Sequence, residues 1–79
     1  MRTIKELLQL MIENKDMFFD GLCCYIDNLY LSHIIDFDEY KSLYNFIREN
    51  RPNQDKDYSW PVGKIEPRLK WINEQINQL

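Results

Sequence analysis

The sequence predicts an all-α fold: a small four-helix domain with an ordered Trp/Pro loop before the last helix. Three observations carry this expectation. Apolar residues recur in steps of three and four along four separate stretches, no stretch shows the strict alternation of a half-buried strand, and helix-starting and helix-stopping residues bracket the stretches. At 79 residues the chain, 1–79, is read as a single helical domain.

Each element follows from local chemistry. Ile4, Leu7, Leu8, Met11 and Ile12 share one helical face, so a first helix is expected from Thr3 to about Asn14. Thr3 and Glu6 have the spacing of a capping box, in which hydroxyl and carboxylate satisfy each other's backbone amides. The polar run Glu13 to Asp16 breaks the chain. A second helix is expected from about Phe18 to Leu31, with Leu22, Tyr25, Ile26, Leu29, Tyr30 and His33 in phase. Gly21 falls inside it and marks either a close helix approach or a bend. Asp36, three residues before Glu39, is the N-cap of a third helix whose apolar face is Tyr40, Leu43, Tyr44 and Ile47. Arg51-Pro52 stops it, because the residue before proline is pushed out of the helical region. Asn53 to Asp57 reads as a polar loop. Pro67 suits a first helical position, so the fourth helix starts with Glu66 at its flank, and Leu69, Ile72, Ile76 and Leu79 form a heptad-like seam.

Bulk properties narrow the function classes. The net charge is −3 and the ten cations are scattered, which is unlike the basic footprint needed to neutralise a nucleic acid duplex. No apolar run is long enough to cross a bilayer, and the amphipathic start Met1 to Glu6 is unlike a signal peptide, so a cytoplasmic protein is expected. Cys23 and Cys24 are adjacent on a helix, where a disulfide between them would be strained; they are expected to be reduced. Aromatic residues make up 14% of the chain, more than so small a core encloses easily, and this points to a homo-oligomer.

Catalysis finds little support. Ser32 and His33 are neighbours in sequence and do not face each other on a helix, and Asp36, Asp38 and Glu39 already serve the positive end of a helix dipole. Two distant glycines cannot make a phosphate loop, and one histidine with two adjacent cysteines does not make a metal site. A non-enzymatic protein without cofactor or metal is expected.

The segment Tyr58 to Trp71 holds both tryptophans, two prolines and three cations, and its prolines and Gly63 restrict its shape. Arg68 and Trp71 share a helical face apart from the Leu69, Ile72, Ile76 seam. A guanidinium fork can hold a phosphate or carboxylate while an indole stacks on a planar ring, with Lys64 and the helix start adding positive potential. Tyr58 and Trp60 supply a second wall, and Arg51 a further cation. The plainer alternative is that the tryptophans pin the loop to the bundle and Arg68 makes a surface ion pair.

The pattern Trp60-Pro61-x-Gly63 followed by Pro67-Arg68-x-x-Trp71, preceded by Gly21-Leu22-Cys23 and by Tyr40 through Arg51-Pro52, resembles a family of small uncharacterised bacteriophage proteins. The resemblance runs from Gly21 onward and carries no assigned activity. It implies a protein of the host bacterial cytoplasm that antagonises antiviral defence. Two routes are expected from that: sequestering an anionic nucleotide-derived immune signal in an oligomer, through Arg68, Trp60, Trp71, Lys64, Tyr58 and Arg51, or binding a host defence protein directly.

Overall fold

In a computed structural model the described residues form five helices and a 3₁₀ turn. The structure describes residues 1–57, 59–61 and 63–79. In chain order these are α1 (Ile4–Glu13), the 3₁₀ turn Lys15–Met17, α2 (Leu22–Leu31), α3 (Phe37–Asn50), the single turn α4 (Asn53–Lys56) and α5 (Glu66–Gln78). No strand is present among the described residues, so the all-α expectation holds.

The α2 and α3 helices pack against each other, and α1 lies against both α3 and α5. Between them sits one core. Leu7, Leu8 and Met11 of α1 meet Leu22, Tyr25, Ile26 and Leu29 of α2, Leu43 and Ile47 of α3, and Trp71 and Ile72 of α5. The Tyr25 hydroxyl reaches across to donate to the Met11 carbonyl, which ties α2 to the end of α1. Burial pushes that phenol far above its ordinary pKa, so it stays a donor.

The expected capping box at Thr3 forms, and the expected N-cap Asp36 makes a second one. Thr3 and Glu6 exchange backbone and side-chain bonds at the start of α1, as do Asp36 and Glu39 at the start of α3. Glu39 does more than cap. Its buried carboxylate also accepts from the Arg2 amide and, at 3.1 Å, from the Arg2 guanidinium, which fastens the N-terminal segment to α3. Burial opposes the charge, but the amides of Asp36 and Arg2 and the guanidinium prevail and hold the carboxyl below its ordinary value.

Five expectations need correction. The second helix starts at Leu22, not Phe18, because Lys15–Met17 turns as a 3₁₀ helix and delivers Phe18 in an extended conformation. The Phe18 ring then enters the core and meets Tyr25 edge-on, centroids 5.4 Å apart. Gly21 is consequently the N-cap of α2 rather than an interior residue, and the close neighbour across from it is the Asp55 carboxylate rather than a helix. His33 does not complete an apolar face: it is exposed, with φ of 61°. The amides of His33 and Ile34 bond back to the carbonyls of Tyr30 and Leu29, the paired bonds of a Schellman ending, with histidine in the left-handed position usually taken by glycine. Asn53 to Asp57 is not all loop, since Asn53–Lys56 makes a helical turn that buries Asp55. Finally, the buried edge of α5 is Arg68, Trp71 and Ile72; of the expected seam Ile72 alone is fully enclosed, and Leu79 is exposed.

Candidate functional site: an arginine-clamped loop and the groove beside it

The loop between α4 and α5 is shaped by one side chain. Pro67 lies in the first turn of α5, where its missing amide costs nothing, and this sets Arg68 one residue further on, pointing inward. The Arg68 guanidinium is 1% exposed. Its Nε donates to Asp55 Oδ1 at 2.8 Å, Nη1 to the carbonyls of Lys64 at 2.7 Å and Pro61 at 3.0 Å, and Nη2 to the Trp60 carbonyl at 3.3 Å. The rings of Phe18 and Trp60 flank it, with centroids 5.2 and 5.6 Å from Cζ. The planar fork of arginine is what lets one residue gather a carboxylate and three carbonyls; a lysine ammonium has neither the reach nor the donor count.

The loop is bent to present those carbonyls. The Lys64 amide closes a turn onto the Pro61 carbonyl, and Gly63 takes φ of 81°, open to glycine and strained for other residues. The Trp60 amide donates to the Gln54 carbonyl and joins the loop to α4.

Asp55 is the counterpart of Arg68. It is 3% exposed, and while Oδ1 takes the guanidinium, Oδ2 accepts from the Leu22 amide at 3.4 Å and lies 4.0 Å from Arg51 Nη1. A carboxylate from α4 therefore occupies the positive end of α2, where Gly21 has no side chain to cap it. Arg51 donates to Cys23 Sγ at 3.1 Å. Burial pushes the Cys23 thiol up, against the influence of Arg51, and both Cys23 and Cys24 are free.

Trp60 and Trp71 meet in a shallow groove of about 370 Å³ on the outside of the clamp. Its lining is Pro52, Trp60, Pro67, Lys70, Trp71 and Glu74. Trp71 forms the floor, with 8% of its surface exposed, and the half-buried Trp60 forms a wall. Lys70 and Glu74, one helical turn apart, place one charge of each sign along the rim.

The predicted site residues therefore separate into three groups. Trp60 and Trp71 come together as expected. Arg68 and Arg51 are turned toward Asp55 and do not line the groove, and the exposed Lys64 contributes its carbonyl to Arg68 rather than its ammonium to a pocket. Tyr58 lies outside the described residues. Pro52, Pro67, Lys70 and Glu74 were missed, although Pro67, Lys70, Trp71 and Glu74 have the spacing of one helical face and an exposed-face reading of α5 would have found them.

Compared with protein-family models, with curated proteins and with solved structures, the chain matches none. Among the described residues no helix is long and apolar enough to cross a membrane.

Proposed function

We propose that this is a non-enzymatic, phage-type protein of the host bacterial cytoplasm that antagonises antiviral defence by docking on a host protein through the Trp60/Trp71 groove. The observation that carries this reading is the position of Arg68. A guanidinium already bonded to Asp55 and three carbonyls is not free to grip a phosphate, so the cation best suited to an anionic ligand is committed to holding the loop. What the loop then offers to solvent is an apolar groove edged by prolines and by charges of both signs, which suits an apolar or ring-bearing side chain of a partner.

Sequestration of a nucleotide-derived signal in a homo-oligomer is the second reading. It is favoured by one arrangement: Lys70 stands beside the Trp60 wall, so a phosphate and a base have a cation and an indole within the same groove.

One experiment separates the two. Native mass spectrometry of the protein after exposure to bacterial lysate rich in immune nucleotide signals, with Trp60→Ala alongside, reads both. Docking predicts a single stoichiometric protein partner whose retention falls by at least about tenfold in Trp60→Ala. A discrete small-molecule mass, lost on denaturation, overturns docking in favour of sequestration.

A further inference from the structure

The flank made by α2 and α3, away from the Trp groove, holds a carboxylate among aromatic rings. Asp27, half-buried on α2, lines a hollow of about 310 Å³ together with Tyr30, Leu31 and Tyr40. Its Oδ1 accepts from the Tyr40 hydroxyl at 2.6 Å. That bond, with burial, pushes the Tyr40 phenol up to about 12, so the proton stays on the phenol and the negative charge on Asp27. Among the described residues no lysine or arginine lies within 4.0 Å of Asp27, and its Oδ2 accepts no bond from them and is not enclosed. Lys41, the cation next to Tyr40 in sequence, is used elsewhere: it pairs with Asp38 at 3.8 Å and sits 4.9 Å from the Phe37 ring centroid.

The hollow therefore has a charge without a counterion, and its walls favour the same sign of ligand. Tyr30 and Tyr40 lie 4.9 Å apart, centroid to centroid, with planes tilted by 35°, and Tyr44 and Phe37 extend the aromatic surface at 5.7 and 6.4 Å from Tyr40. Ring faces are electronegative, so a carboxylate beside them selects an organic cation over an anion or a neutral group. A guanidinium suits such a place better than an ammonium, because it is planar, weakly hydrated, stacks on rings and forks onto carboxylates. The volume is at the small end of the roughly 300–1,000 Å³ range of ligand sites, which fits the head of one side chain. The rim indicates where that cation comes from. Leu31 is 71% exposed and Phe37 53%. A free cation leaves both in water, whereas the residues on either side of an arginine in a polypeptide cover them.

We propose that the hollow beside Asp27 receives an arginine side chain of a partner polypeptide: its guanidinium pairs with Asp27 and lies against Tyr30 and Tyr40, and apolar neighbours in that segment rest on Leu31 and Phe37. The assignment uses none of the groove residues and stands independently of what the groove binds.

Titration of the isotope-labelled protein with the end-blocked tripeptide Leu-Arg-Leu, followed by NMR, tests it. Saturable shifts are expected at Asp27, Tyr30, Leu31 and Tyr40. The citrulline counterpart, which has the shape of arginine without its charge, should bind at least about tenfold more weakly. The same loss is expected in Asp27→Asn, which keeps an acceptor for the Tyr40 hydroxyl and hence the fold. Leu-Lys-Leu and a single end-blocked arginine should each bind a few-fold more weakly than Leu-Arg-Leu. Shifts centred on the Trp60/Trp71 groove, no saturable shift at tens of millimolar peptide, or undiminished binding by the citrulline peptide or by Asp27→Asn overturns the proposal. Equal binding of the single arginine overturns a polypeptide as the source, and equal binding of the lysine peptide overturns the choice of guanidinium.

Discussion

Two ion pairs hold the two ends of this fold, and they are built differently. Arg68 and Asp55 are each 1% exposed in their side chains, whereas Arg2 is 44% exposed against a Glu39 side chain at 6%. The inner pair organises the loop between α4 and α5; the outer pair adds a fastening to a helix that is already capped. Arg68 and Asp55 are both enclosed and Arg68 has no other charged partner, so removing Asp55 leaves a buried guanidinium bonded only to carbonyls. Removing Glu39 from the outer pair leaves an arginine that water can reach, and removing the Arg2 side chain leaves a carboxylate that still accepts from the amides of Arg2 and Asp36. The comparison teaches that the same two residue chemistries can be indispensable at one position and auxiliary at another.

The largest effect that would sharpen this contrast is Asp55→Ala, which strands the Arg68 guanidinium and uncaps α2; a loss of about 3–5 kcal/mol is expected in urea unfolding. Domains of this size have only about 5–15 kcal/mol in total, so the variant sits near the limit of folding. Arg68→Lys keeps the charge and removes the fork, leaving loop carbonyls without donors, and should cost about 2–3 kcal/mol. If it matched the wild type, charge alone would be sufficient and the clamp geometry irrelevant. At the outer pair Glu39→Gln should lose about 1–2 kcal/mol at neutral pH, by the same measurement.

The outer pair also has a pH signature. Because the Glu39 carboxyl is held below its ordinary value of 4.5, its contribution is complete above that value and is lost as pH falls through the lower folded one. Wild-type stability is therefore expected to fall more steeply than that of Glu39→Gln across this acid window; parallel curves would remove Glu39 from the account. The smallest effect lies outside both pairs. His33→Gly relieves a left-handed position and should raise stability by up to about 1 kcal/mol, visible as a higher midpoint in the same urea titration.

The helices were legible in the sequence wherever periodicity and caps agreed. Thr3/Glu6 announced its box, Asp36 its cap and Arg51-Pro52 its stop, because these signals act within a few residues. The start of α2 was not legible, since its cap is Asp55, which follows Leu22 by 33 residues. The ion pair of Arg68 was among the sequence readings but was placed at the surface: a guanidinium beside tryptophan and proline has the same sequence signature whether it faces solvent or turns inward to collect carbonyls. The partner that decides between them, Asp55, sat in a run that looked wholly polar. Of the groove, the tryptophans were visible and the charged rim was not, because the apolar seam drew attention to the wrong face of α5.

The packing of α1 against α5 also has a consequence for synthesis. A ribosome makes the chain from its amino end, so Leu7, Leu8 and Met11 leave the exit tunnel long before Trp71 and Ile72 exist to cover them. Until α5 emerges, the part of the α1 face that it will cover stays bare on the nascent polypeptide, the kind of apolar surface that chaperones recognise.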